Sequence, residues 1–219
     1  MKKTPARRVP MILLGTLVIV MFIGMAGRIW WVNERLYPYP YPEEHHSMGE
    51  WVELNGAFID SRSENTDGYA IKVTDADMVS YREYLDLYGP EDADIPDDPE
   101  LNAKSILCLT LELRNDSKTS GGAVLLGEFA LIPDGMPLVY NYDPMLWSES
   151  NPNINQMSFL IAALPGTSTV QHIPYGAGDL DATGGISRRY YSDLATAESY
   201  ELVISNAPVR HVIDIEIDE

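Results

Sequence analysis

Residues 9–27 are nineteen consecutive uncharged side chains, with Lys2, Lys3, Arg7 and Arg8 directly in front of them. As an α-helix, at about 1.5 Å per residue, the run reaches about 28 Å, close to the hydrocarbon thickness of a bilayer. A buried core helix is the poorer assignment, because the segment is terminal, lacks a polar face and is flanked by arginines. The basic residues in front hold the N-terminus in the cytoplasm and send the rest of the chain to the outside. Arg28 and the pair Trp30 and Trp31 come next, in the manner of an interfacial belt. A secretory signal peptide shares the basic front, but its apolar stretch is usually about 7–15 residues. Gly24-Met25-Ala26 has the small-x-small spacing of a cleavage site, so a cleaved signal stays open as the alternative to an uncleaved anchor. A lipoprotein signal needs a cysteine just after the apolar run, and the single cysteine is Cys108.

The organisation expected from this is a basic cytoplasmic tail over residues 1–8 and a transmembrane anchor over 9–32. A Tyr/Pro-rich stalk over 33–48 and an extracytoplasmic domain over 49–219 come after it. In the stalk, Tyr37-Pro38-Tyr39-Pro40-Tyr41-Pro42 favours an extended polyproline spacer. The domain is long enough to bury a core without staples. Cys108 excludes an internal disulfide, and in Ile106-Leu107-Cys108-Leu109 it reads as a small buried hydrophobe. An exterior domain without disulfides suits a Gram-positive envelope better than a eukaryotic one.

Charge is segregated. Residues 1–35 carry six Lys/Arg and one acid, and residues 36–219 carry nine against 32, a formal net of −23. Such a domain repels nucleic acid and anionic lipid. The expected partners are the membrane, through the N-terminal helix, and an extracellular or envelope protein or glycan.

Beyond the stalk the apolar pattern is that of short strands. Residues 51–54 and 58–60 read as a hairpin around Gly56. Tyr69, Ile71 and Val73 share one face of the next strand. Over residues 105–115, Leu107, Leu109, Leu111 and Leu113 face one way, and Cys108, Thr110 and Glu112 the other. Residues 123–132 read as a strand, and residues 158–164 and 169–173 flank the turn Pro165-Gly166. Tyr200, Leu202 and Ile204 mark one closing strand, and Ile213, Ile215 and Ile217 the last. Ser80-Tyr81-Arg82-Glu83 has capping-box spacing and opens a helix that Gly89-Pro90 ends. A second short helix is expected over 188–197. The fold class predicted is mainly β, an antiparallel sandwich with one or two short helices, behind a single N-terminal transmembrane helix.

Two groups of residues then carry a resemblance. The first is Glu50-Trp51-Val52-Glu53-Leu54-Asn55-Gly56-Ala57-Phe58, with Gly68-Tyr69-Ala70-Ile71-Lys72-Val73 and Tyr81-Arg82-Glu83-Tyr84-Leu85-Asp86-Leu87-Tyr88-Gly89. In this order they resemble the Gram-positive, membrane-anchored domain-of-unknown-function family 5028. The second is Ala163-Leu164-Pro165-Gly166-Thr167, Pro174-Tyr175 and Tyr200-Glu201-Leu202-Val203-Ile204-Ser205, similar to the closing half of immunoglobulin-like bacterial surface domains. The resemblance implies an immunoglobulin-like extracytoplasmic sandwich. It covers most of residues 50–217 and carries over no functional residue.

The candidate chemistry is sparse. Asp179-Leu180-Asp181-Ala182-Thr183-Gly184 begins like a calcium loop, but position 12 is Tyr190 instead of a bidentate glutamate. Asp92, Asp94 and Asp97 stand in an acidic, proline-broken loop that reads as solvated. Asp179, Asp181, Thr183, Asp92, Asp94 and Asp97 are the weak calcium candidates. Glu43-Glu44-His45-His46 has transition-metal donors, but falls in the stalk, without a rigid scaffold. His172 and His211 fall in strands and read as packed residues. Tyr140, Tyr142 and Trp147, near Asn141, Asp143 and Asn151, form an aromatic cluster of the kind that stacks sugars or peptides, or that packs a sandwich rim. No zinc-protease motif, nucleophile elbow or phosphate loop occurs. The expectation is a non-enzymatic binding or accessory domain, with no cofactor, on the outer surface. A calcium-dependent structural surface protein is the alternative.

Overall fold

The computed structural model describes residues 8–36, 41–91, 93, 99–118, 121–136, 139–152, 160–176 and 197–217, with the side chains of the N-terminal helix described over 15–31. The chain divides into two compact units, Met1–Tyr41 and Pro42–Glu219. Among the described residues the first holds one helix, α1 (Arg8–Leu36). Its large apolar side chains, from Leu17 to Trp31, are exposed. Among the described residues no helix is long and apolar enough to cross a membrane. The membrane-spanning assignment therefore rests on the sequence.

The second unit contains, in order, β1 (Glu43–Ser47), β2 (Val52–Glu53), β3 (Tyr69–Ser80), α2 (Tyr81–Tyr88), α3 (Pro99–Asn102) and β4 (Ser105–Asn115). After these come β5 (Val124–Leu125), a 3-10 turn (Leu126–Glu128), β6 (Ala130–Pro133), α4 (Pro144–Ser150), β7 (Leu160–Ile161), β8 (Thr167–Tyr175), β9 (Ser199–Val203) and β10 (Arg210–Glu216). One four-stranded sheet has the order β1-β10-β9-β6, a second the order β2-β3-β4-β8, and β5 pairs with β7. Every named pair is antiparallel except β1 with β10, which is parallel.

Both larger sheets supply one apolar core. Ile71, Val73, Leu109, Leu111 and Ile173 come from one, and Leu131, Leu202, Ile213 and Ile215 from the other. The fold is thus mainly β, with antiparallel sheets and few helices. The leucine alternation of β4 points into this core, as its period of two requires. The opposite side of β4 is not uniformly solvated. Ile106 and Cys108 are buried in a second, smaller core with Tyr81, Tyr84 and Leu85 of α2 and Leu146 of α4. Only farther along does that side turn polar, with Lys72 on Glu112 at 2.8 Å and Arg114 on Glu53 at 2.8 Å. Lys72 and Arg114 both lie over the Trp51 ring, at 4.5 and 4.3 Å from its centre.

The helix α2 forms where its capping box is written. The Ser80 hydroxyl accepts from the Glu83 amide, and the Glu83 carboxylate accepts from the Ser80 amide. Gly89 closes it, donating its amide to the Leu85 carbonyl at 2.8 Å.

Several expectations are corrected. Residues 51–60 are not a hairpin: β2 pairs with β3, and Phe58 bridges to Ala207. Asn55 and Gly56 instead form a tight turn, both with positive φ, 49° and 83°. Residues 123–132 are not one strand, because the 3-10 turn separates β5 from β6. The turn at Pro165-Gly166 is present, with β7 before it joined to β5 and β8 after it joined to β4. The stalk boundary also moves. Glu43–Ser47 is a sheet strand, not a spacer. The helix expected at 188–197 lies outside the described residues, apart from Ala197.

Candidate functional site

β1 is a strand of Glu43, Glu44, His45, His46 and Ser47. It has no apolar face to bury, so its place comes from backbone pairing to the edge of the sheet. The parallel register sets Glu43 beside Arg210, Glu44 beside His211 and His46 beside Ile213. Side chains alternate along a strand, so Glu43 and His45 project to one face and Glu44 and His46 to the other.

On the first face, Glu43 pairs with Arg210 and with His45, whose Nε2 lies 3.2 Å from the Glu43 carboxylate. The His45 Nδ1 meets Asp214 at 2.9 Å. Arg210 beside Glu43 holds that carboxyl below its ordinary range, and the hydrogen bond to Asp214 raises the His45 imidazole. The donor atoms of His45, Glu201 and Asp214 lie within 4.8 Å of one another.

On the second face, the His46 Nε2 lies 3.1 Å from the His211 Nδ1, with ring centres 5.3 Å apart. The Glu44 carboxylate lies 3.6 Å from the same His211 nitrogen. His211 is buried, His46 half-buried and Glu44 exposed. Burial, and then the neighbouring His46, push the His211 pKa down, against an opposing pull from Glu44. The backbone around His211 is firmly held. Its amide donates to the Ser205 hydroxyl at 3.0 Å, that hydroxyl donates to the Val209 carbonyl at 2.9 Å, and the Ile204 amide donates to the His211 carbonyl at 3.0 Å. Glu44, His46 and His211 open onto a cleft of about 310 Å³, also lined by Glu53, Leu54, Asn55, Ala57, Pro208 and Val209. The Asn55-Gly56 turn and the 205–209 connection form its other walls.

The aromatic candidates are corrected. Tyr140, Tyr142 and Trp147 are buried members of the main core, not a stacking platform. Tyr140 bridges to Leu131, Tyr142 bridges to Tyr175, and Trp147 meets Tyr142 edge-on at 6.1 Å. Asp92, Asp94, Asp97, Asp179, Asp181 and Thr183 lie outside the described residues. His172 is a packed residue in β8: its Nδ1 contacts the Thr110 hydroxyl at 3.0 Å, and Tyr88 stacks on its ring at 4.1 Å. His211 is packed too, but it also completes a donor cluster that strand patterns do not disclose. The one signal present was the Glu-Glu-His-His string, whose alternate residues separate onto two faces only once it is read as a strand.

No curated protein and no solved structure matches this chain. The model of one family matches over residues 43–211, so it begins at the first residue of β1 and ends just inside β10. The chain therefore belongs to the family described as Domain of unknown function (DUF5028).

Proposed function

We propose that this chain is a single-pass membrane protein that displays a non-enzymatic binding domain on the outer surface, with the cleft between β1, the Asn55-Gly56 turn and the 205–209 connection as its ligand-facing site. The observation that carries the binding assignment is that cleft of about 310 Å³, in which Glu44, His46, Glu53, Asn55 and His211 converge. The nineteen-residue apolar run behind four basic residues supports the anchorage and its direction. A non-enzymatic role is supported by the shielding of two reactive groups outside the cleft. Cys108 is buried, its thiol pushed up to about 12 by that burial, and the His172 ring beside Thr110 is covered by Tyr88. Two four-stranded sheets around one core support an immunoglobulin-like arrangement.

Protease added to intact protoplasts tests the topology. It digests the chain beyond about Asn33 and leaves the basic N-terminus intact; protection of residues 42–219 defeats the anchorage. A photo-crosslinker at Asn55, in the cleft, compared with one at the exposed Leu87 of α2, tests the site on whole cells. A distinct neighbour captured from Asn55 alone is the expected result. Equal capture from both positions removes the cleft from the proposal.

A further inference from the structure

We propose that Glu44, His46 and His211 bind one divalent transition-metal ion of the zinc class, which bridges β1 to β10 and leaves a coordination position open to the cleft. The inference stands on the geometry of the domain and is independent of which side of a membrane the domain occupies.

The distances are those of a ligand set. Two imidazole nitrogens on a tetrahedral ion, each at about 2.0–2.1 Å, stand about 3.3 Å apart. The His46 Nε2 and His211 Nδ1 stand 3.1 Å apart, and the Glu44 carboxylate is 3.6 Å from His211. All three donors lie within 4.8 Å of one another, and Glu44, the member that has to close in, has an exposed side chain. The backbone supplies the pre-arrangement. Parallel pairing sets Glu44 beside His211, strand alternation puts His46 on the same face, and Ser205 fixes the His211 backbone.

The donors select the class of ion. Calcium and magnesium take oxygen ligands, whereas two imidazoles and a carboxylate suit zinc, copper or nickel. Three protein donors complete a structural tetrahedral site only with a fourth, and here the fourth direction faces the cleft lined by Glu53 and Asn55. Water, or a donor atom of a bound molecule, fills that position. The ion ties together residues 165 apart in sequence and so fastens the first strand of the domain to its last.

The test uses the full-length chain in non-ionic micelles, without a polyhistidine tag and stripped with a chelator. The protein is expected to retain one zinc ion per chain after dialysis, melt at a higher temperature with zinc, and exchange the amides of residues 43–47 more slowly. Calcium and magnesium at the same concentration do none of these. His46→Gln and His211→Gln weaken retention by more than the roughly 10–100-fold typical of outer-shell partners, and Glu44→Gln by about tenfold. Asp214→Asn, on the opposite face of the strand, leaves it unchanged. Should the buried His211 be needed for folding, Glu44→Gln and His46→Gln carry the test, with a metal-free melting temperature near that of the parent showing an intact fold. Failure to retain zinc, retention unchanged by His46→Gln, or loss confined to Asp214→Asn each overturns the proposal. The 3.1 Å contact is then a hydrogen bond between two histidines and no more.

Discussion

Replacing Ile106 by alanine separates a strand buried on one side from a strand buried on both. By alternation, Ile106 falls on the side of Cys108, Thr110 and Glu112, opposite the leucine face. In the structure Ile106 is fully buried, against α2 and α4, in the second core. Truncating a buried isoleucine to alanine costs about 2–5 kcal/mol, from lost transfer energy and the cavity left behind. Leu109→Ala, in the main core, belongs to the same range. Thr110→Ala removes a half-buried hydroxyl and its contact with His172, worth about 0.5–1.5 kcal/mol. For a domain of this size about 1 kcal/mol moves the melting temperature by about 2–4 °C. The expected losses are therefore about 6–12 °C for Ile106→Ala and Leu109→Ala, taking ~3 kcal/mol, and about 1–6 °C for Thr110→Ala. Near-UV circular dichroism during heating reads the order directly. Aspartate sharpens it: at positions 108 and 109 it buries an unpaired charge, and at 110 it reaches partial solvent. An Ile106→Ala loss no larger than that of Thr110→Ala refutes the second core and the docking of α2 that makes it.

Other outcomes are tied to particular groups. Cys108 is buried and its thiol is pushed up to about 12, so iodoacetamide at pH 8 leaves it unlabelled in the native chain and labels it in urea; rapid native labelling contradicts that burial. Ser80→Ala removes the N-cap of α2 at a cost of about 1 kcal/mol, read as a lower urea midpoint. Hydrogen bonds from the Ser80 amide and then its side chain hold the Glu83 carboxyl below its ordinary 4.5, so its contribution is present above that value and lost as pH falls through the lower folded value. Glu83→Gln then flattens the acid side of the stability profile, and an unchanged acid side counts against the capping box. Against the calcium alternative, about 1 mM calcium raises the melting temperature no more than magnesium at matched ionic strength; a calcium-selective rise that Asp179→Asn or Asp94→Asn removes restores that alternative.

What could be read from the sequence was what is encoded locally. β4 spans residues 105–115 as its leucines required, because a period of two over eleven residues admits no other regular structure. The capped helix is encoded within four residues, Ser80 to Glu83, and formed there. Pairing was less legible. Pro165-Gly166 says that the chain turns, but not that β7 and β8 will then pair with different strands, β5 and β4. Leu125, Phe129 and Leu131 fit a strand period across a segment that the 3-10 turn divides, since a short apolar run does not distinguish one strand from two. Tyr140, Tyr142 and Trp147, beside Asn141 and Asp143, fit a binding surface and a packed rim alike in sequence, and all three are buried.

The edge of the sheet shows why the candidate site was the least legible part. Hydrophobic periodicity finds strands by the face they bury, and Glu43-Glu44-His45-His46 buries none. Its strand is made by hydrogen bonding to β10, more than 160 residues away in sequence, so no local window contains the cause. Without that strand the four residues are a flexible string of donors, for which metal binding would carry the full entropic cost of ordering. With it, Glu44 and His46 share one face and His211 stands beside them, ordered by the fold before any ligand arrives. The Ser205 hydroxyl that accepts the His211 amide makes the same point: it is itself buried, and it fixes the connection that forms a wall of the cleft. A polar strand at a sheet edge is thus where pairing, not burial, places the chemistry. The match of the family model from residue 43 includes that strand in the domain shared by the family.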